Sequence, residues 1–268
     1  MSTKVAGIPE EYLRPDWYAY YVASGRLQYQ HRLHREEPWP DGSFHPGRPD
    51  LQPHPSRQEA QRYRSFLTQV LPLGTTSNGL FGLKAHRQQL TTALRWLRAS
   101  GDGDRDDEAS LLSRWLPDVR FIYLRRSDSI RRAISHYRAL ASDVWWRTDD
   151  TPDIREIPYG PPTEFDIEQV DHLRRKGDEH HRQWMAFFEH ANADPLEIAY
   201  EELSNNAPSV VGRVLEYLGV RGSITPPSAP RLRKQADQWS DEAVHAYITW
   251  RRAHLALPAK LYGTNLDY

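Results

Sequence analysis

Val119–Leu140 reads VRFIYLRRSDSIRRAISHYRAL. Val119, Phe121, Ile122, Tyr123 and Leu124 form a short apolar run, read as a buried strand that stops at Arg125–Arg126. A helix opens at Ser127–Asp128, either of which is a good N-cap. Strand, basic turn and capped helix is how α/β proteins build an anion site at the carboxyl end of a parallel sheet. The helix turns its free N–H groups and positive dipole end toward the turn. Arg126 adds a planar cation suited to a phosphate, and Ser135, further along the same helix, adds a hydroxyl. Taken alone, the same residues also read as solvated arginines and a helix-packing serine.

Working outward, Glu10–Leu27 is aromatic-rich (Tyr12, Trp17, Tyr18, Tyr20, Tyr21) and reads as a helix lying over a binding cleft. Gln28–Pro55 is dense in Pro, His and Gly and reads as an irregular loop. Ser56–Leu71 is a helix capped by Ser56, with Ala60, Tyr63, Leu67 and Val70 on one face. Leu80–Leu83 is a strand and Gln88–Ser100 a helix. Leu111–Leu116 is a short helix, and the helix after Arg126 ends near Trp145–Trp146. Beyond the Pro-rich loop Thr151–Thr163 come a long helix, Phe165–His190, and a strand, Leu196–Ala199. Pro208–Leu218 is a helix closed by Gly219, and Asp241–His254 is the last helix. Alternating strands and helices imply an α/β fold of three layers, a mostly parallel sheet flanked by helices. No internal repeat or domain boundary is evident, so residues 1–268 read as one domain with an irregular insert at about 28–55.

Composition narrows the function classes. A net charge of −1 argues against a generic nucleic-acid binder, whereas the local cluster Arg125, Arg126, Arg131, Arg132 suits a discrete anion. With no cysteine there are neither disulfides nor thiolate metal sites. No apolar run approaches the ~20 residues of a membrane span, and the amino terminus lacks a signal-peptide core. The expectation is a cytoplasmic protein with no membrane partner. His172, His180, His181 and His190 are not spaced for helical chelation, so they read as ordinary helix histidines and no metal is expected. Arg131–Arg132 and Arg174–Arg175–Lys176 read as solvated faces.

Arg126, Asp128, Ala133–Ile134–Ser135 and Ala139 resemble the segment that binds the donor's 3′-phosphate in sulfotransferases, and the nearest resemblance is to the bacterial trehalose 2-sulfotransferase family. Four further segments agree in order. Val5–Tyr12 resembles that family's AGxPxE segment with a following aromatic, and Asn78–Lys84 resembles its glycine-rich strand. Tyr200–Leu203 is shared with sulfotransferases more widely, and Arg233–Glu242 resembles the family's RQAD…SDE segment. Together they span nearly the whole chain.

The resemblance implies a P-loop NTPase/sulfotransferase-like fold and an enzyme moving a sulfuryl group from 3′-phosphoadenosine-5′-phosphosulfate to a hydroxyl of a sugar or other small metabolite. It places Glu11 on the family's catalytic glutamate, the group that takes the hydroxyl proton. If the two carboxylates sit in a helical turn, Glu10 and Glu11 point apart and Glu11 alone faces the cleft. Arg126 and Ser135 would hold the 3′-phosphate, and Lys84 would reach the sulfuryl or bridging oxygen. Lys234 and Gln235 fall in the segment that folds over the nucleotide; a lysine there replaces the family's usual arginine and weakens bidentate contact. Trp145 and Trp146 suit stacking on a ring, or core packing. Homodimerisation is implied by family alone.

One family feature is missing: the opening strand with its R-S-G-S-T loop for the 5′-phosphosulfate. Gly74–Gly79 does not replace it, because Leu80 and Phe81 stand where Lys and Ser/Thr are required. The segment reads instead as a turn into a strand. A misplaced start, a degenerate relative and a strand supplied by a partner all account for the gap. The first is favoured, with poor donor binding by the 268-residue chain expected. A catalytically inactive, sulfotransferase-like binding or scaffold protein is the alternative function. A nucleotide kinase fits worse, lacking a lysine-bearing phosphate loop and a clear Mg²⁺ carboxylate.

Overall fold

The structure, a computed structural model, describes residues 6, 8, 10–24, 27, 54–101, 106–142, 144–145, 165–220 and 237–255. The irregular insert expected at about 28–55 lies almost wholly outside them, as do Trp146, Thr151–Thr163, Lys234 and Gln235. The fold is mixed α/β, mostly helical with a small parallel sheet. By contacts the chain divides into two compact units: Met1–Tyr123 with Gln183–Leu196 and Pro208–Pro227, and Leu124–Arg182 with Glu197–Ala207 and Ser228–Tyr268.

The first unit holds α1 (Pro15–Ser24), α2 (Arg57–Gly74), α3 (Arg87–Ala99) and α4 (Glu108–Trp115). α2 starts on a full capping box: Glu59 N–H donates to Ser56 Oγ at 3.3 Å and Ser56 N–H to the Glu59 carboxylate at 2.8 Å. Its predicted face, Ala60, Tyr63, Leu67 and Val70, is buried, joined by Phe66. Leu94, Trp96 and Leu97 of α3 pack on that stripe. Tyr18 of α1 meets Tyr63 edge-on at 5.0 Å between ring centroids, a favoured aromatic geometry. The expected cleft-covering helix is therefore corrected twice. α1 begins only at Pro15, and Tyr12 and Tyr18 belong to the core.

After α2 the chain turns back on itself, with Gly79 N–H donating to Thr76 C=O and Thr75 bridging antiparallel to Phe81. The turn expected at Gly74–Gly79 is present, but Leu80–Leu83 is not a strand. Phe81 and Leu83 each make a single bridge, to Thr75 and Glu10, and neither pairing extends. Gly74 is required here by close approach: a Cβ would stand 2.5 Å from the Phe81 ring and 2.9 Å from the Tyr12 ring.

β1 (Ile122–Arg125) and β2 (Leu196–Ala199) pair side by side, with Leu196 N–H donating to Phe121 C=O at 2.8 Å. β1 departs from the expected buried strand. Phe121 and Tyr123 pack on Trp184, Phe187 and Phe188 of α6 (Ile167–His190), whereas Ile122 and Leu124 are 40% and 54% exposed. Alternate strand side chains point to opposite faces, so an element covering one face buries one set and leaves the other.

The second unit contains α5 (Ser129–Ser142), α7 (Tyr200–Asn205), α9 (Gln238–Leu255) and the earlier part of α6. Its core joins Ala133 and Ile134 of α5, Val170 and Leu173 of α6, and Ala243 and Tyr247 of α9, with Phe165. Two arginines expected on solvated faces are instead structural. Arg174 is largely buried, bonded to Asp178 at 2.7 Å and to the Tyr247 hydroxyl at 2.8 Å, and Arg132 meets Asp178 at 2.8 Å. Arg175 and Lys176 remain exposed. α8 (Ala207–Tyr217) ends as read, with Gly219 at φ +69° just past it, a conformation glycine adopts without cost from a Cβ. α7 went unread; it follows β2 without a break. Among the described residues, no helix is long and apolar enough to cross a membrane.

Candidate active site

β1 ends at Arg125 and α5 begins at Ser129, so Arg126 sits in the connecting turn. The Asp128 carboxylate accepts from Ile130 N–H at 3.1 Å and Arg131 N–H at 2.9 Å, which makes Asp128 the N-cap. Ser127 N–H donates to both oxygens of Glu201, at 3.2 Å each. Burial works against charge on Glu201, but its own backbone N–H and the donors of Ser127 and Asp128 outweigh it and hold the carboxyl below its ordinary value. This corrects the expected source of anion affinity: carboxylates of the chain already occupy these helix-terminal amides. An outside anion at this turn would be met by side chains.

Those side chains line a cavity of about 300 Å³ in the second unit, which includes Arg126, Ser135, Arg138, Tyr200 and Ser240. The Arg126 guanidinium lies 4.2 Å from the Tyr200 ring centroid, over its face. No carboxylate among the described residues pairs with it. The neighbouring arginines differ. Arg131 meets Asp241 at 2.7 Å. Arg138, 7% exposed, grips both oxygens of Asp237 at 2.8 and 2.9 Å and donates to Ser240 Oγ at 2.6 Å. Arg138 is the main reason the Asp237 carboxyl, despite some desolvation, sits below its ordinary value. Arg126 thus carries a positive charge that no carboxylate among the described residues neutralises, on the wall of a cavity that also presents the Ser135 hydroxyl.

The first unit holds the other group. Glu10 bridges parallel to Leu83, and Lys84 N–H donates to Glu10 C=O at 3.0 Å. This backbone pairing sets Glu11 beside Lys84, whose Nζ is 2.7 Å from Glu11 Oε1. Gln89 Nε2 donates to Glu11 Oε2 at 3.2 Å, and the His86 ring is 3.9 Å away. Glu11 is 21% exposed and Lys84 60%. Burial pushes the Glu11 carboxyl up, but Lys84, Gln89 and His86 together hold it below its ordinary value. The expected helical setting of Glu10 and Glu11 is not observed, since α1 starts four residues later at Pro15. Glu10 is nevertheless exposed while Glu11 is turned inward, because paired extended backbone also sends neighbours apart. Lys84 follows a single bridge rather than a strand, and its ammonium is engaged by Glu11.

Arg126 and Ser135 therefore share one cavity, Glu11 and Lys84 share one ion pair, and Lys234 and Gln235 lie outside the described residues. Trp145 is exposed, its ring 5.8 Å from that of His136. Of the histidines weighed as ligands, His190 pairs with Asp107 at 3.1 Å; among the described residues no three metal-ligating side chains converge. Three contributors escaped sequence reasoning. Arg131, Ser135 and Arg138 recur at helical spacing of four and three on α5, a pattern that would have put Arg138 on the cavity wall. Tyr200 was read only as part of the Tyr200–Leu203 segment, and Gln89 carries no comparable signal, because its role arises from a contact far away in sequence.

The chain is an enzyme of the sulfotransferase class. It belongs to the Stf0 sulphotransferase family, whose description matches residues 1–249. It is 32% identical over 207 residues to a trehalose 2-sulfotransferase of Mycolicibacterium smegmatis, covering 75% of this chain and 69% of that protein. It is 31% identical over 180 residues to a trehalose 2-sulfotransferase of Mycobacterium tuberculosis, covering 65% of this chain and 62% of that one.

Proposed function

We propose that this protein transfers a sulfuryl group from 3′-phosphoadenosine-5′-phosphosulfate to a hydroxyl of a carbohydrate. The relatives' names support a sugar acceptor of the trehalose type. The observation that carries the reading is Arg126, a guanidinium on a cavity wall with no carboxylate partner among the described residues. Its planar fork suits two oxygens of a phosphate, and Ser135 offers a hydrogen bond from the same wall. Tyr200 backs the guanidinium and limits its rotamers, so less freedom is lost when an anion arrives.

When bound, the donor supplies a sulfuryl group on a leaving phosphate. The chain's own part is to hold the 3′-phosphate at Arg126 and Ser135 and to remove the acceptor's proton at Glu11. Held in its charged form by Lys84 and Gln89, the Glu11 carboxylate is in the state that accepts a proton at neutral pH. Lys84 carries a positive charge suited to stabilising oxygens that gain negative charge, and Lys234 and Gln235 belong with the donor on the family resemblance. The fold that goes with this reading is a three-layer sulfotransferase sandwich, and the pairing of β1 with β2 supports it. Homodimerisation rests on the family resemblance alone, and a cytoplasmic setting is the expectation carried from the sequence reading.

Calorimetric titration with 3′-phosphoadenosine 5′-phosphate tests the reading. Arg126→Ala is expected to weaken binding roughly 10- to 100-fold, the loss of a charge-assisted pair. Equal affinity in wild type and variant would remove Arg126 from the site and the proposal with it.

A further inference from the structure

Gln89 uses both ends of its amide. It is the third residue of α3, and its Oε1 accepts from His86 N–H at 2.8 Å, half of a capping box. Its Nε2 donates to Glu11 Oε2 at 3.2 Å. The assignment of the two ends is forced: a backbone N–H only donates, so the atom facing it is the oxygen, and the amino group is left for the carboxylate. The amide is planar, so fixing its oxygen at the helix start fixes the direction of its donor. Lys84 takes Oε1 of the same carboxylate at 2.7 Å, and among the described residues Gln89 is the hydrogen-bond donor to the other oxygen.

We infer that Gln89 is a positioning residue for Glu11: the start of α3 holds its amide so that it orients the carboxylate. The inference rests on the reading of Glu11 as the proton acceptor and adds what sets its orientation. Among the described residues, the charged and titratable groups that face Glu11 are Lys84 and His86. Both reside in the connection between the Leu83 bridge and α3, and His86 also supplies the N–H that Gln89 binds. One helix start thus fixes the amide and places a second titratable group within 3.9 Å of the carboxylate.

Gln89→Glu separates the two jobs. A glutamate keeps the acceptor for His86 N–H and suits the positive end of the helix, so the cap survives. Its donor to Glu11 is replaced by a second carboxylate. Gln89→Met removes the donor without adding charge and also removes the cap. The measurement is the carboxyl-carbon NMR titration of Glu11 in the full chain, assigned by the resonance that vanishes in Glu11→Gln, together with the melting temperature. The expected result is an upward shift of the Glu11 midpoint in both variants, larger in Gln89→Glu, with a lower melting temperature only in Gln89→Met. A midpoint equal to wild type in either variant overturns the inference. A Glu11→Gln protein that still sulfates trehalose at the wild-type rate would instead remove Glu11 as base, and it would leave the titration result standing.

Discussion

Lys84 Nζ stands 2.7 Å from Glu11 Oε1, and the Glu10–Leu83 bridge one residue earlier in each segment holds the two backbones together. The pair is therefore set by main-chain pairing rather than by chance contact of long side chains. An ion pair built this way keeps the base charged yet must share it with the proton it receives.

Activity should consequently persist well into the acid range. The Glu11 carboxyl lies below its ordinary value of 4.5, so the acid limb of kcat/KM is expected under that pH. Lys84→Met removes the strongest charge-stabilising partner and should move the limb to higher pH. The sign for stability is the same. With a folded-state value lowered, Glu11 contributes stability above its unfolded value, and that contribution is lost as pH falls through the lowered one. A pH–rate profile of Lys84→Met superimposable on wild type would contradict the pairing.

Glu11→Gln keeps the shape of the side chain and removes the base. Turnover should fall by ~10²-fold or more, the usual contribution of a positioned general base. Affinity for 3′-phosphoadenosine 5′-phosphate, read by calorimetry, should stay at the wild-type value because the phosphate site uses other residues. Full turnover would reject Glu11 as the proton acceptor.

Arg138→Met tests the latch on the cavity wall. Two hydrogen bonds to Asp237 and one to Ser240 are lost, and a half-exposed carboxylate is left without its cation. After allowance for solvent screening at Asp237, the cost should be about 1–2 kcal/mol in chemical denaturation. Since the Asp237 carboxyl is lowered in the folded state, wild type should lose its advantage over the variant as pH falls through that lowered value. A difference that stays constant down to strongly acid pH would show that the pair contributes nothing through charge.

Gly74→Ala places a methyl group against the Phe81 and Tyr12 rings. Neither ring is the loose end of a flexible chain; the two stack at 6.0 Å and Tyr12 is buried. The expected cost is about 1–3 kcal/mol, as for an extra methyl in a packed core. An unchanged melting temperature would mean the α2 end shifts freely.

Much of the helical framework was legible because helices write their faces locally. Ser56 with Glu59, and the run Ala60, Tyr63, Leu67, Val70, predicted α2 to within a few residues at its far end. Leu196–Ala199 was read with its bounds as observed. The failures came where pairing partners are distant. Leu80–Leu83 has strand chemistry but finds only isolated bridges, and β1 has core chemistry but is covered on one face. Arg174 looked like surface charge because its partners Asp178 and Tyr247 are invisible as partners until α6 and α9 meet.

Sequence by itself determined the capped helices, the strand–arginine–helix turn at Arg126 and the family to which those segments belong, since each depends on residues within a few positions of one another. Only tertiary structure decided that Arg126 meets no carboxylate among the described residues, what occupies the α5 amides and how Glu11 is held. Those outcomes depend on Glu201, Asp237, Asp241 and Gln89 arriving from segments some 70 to 110 residues away, and electrostatic pairing is set by distance in space, which local sequence does not encode.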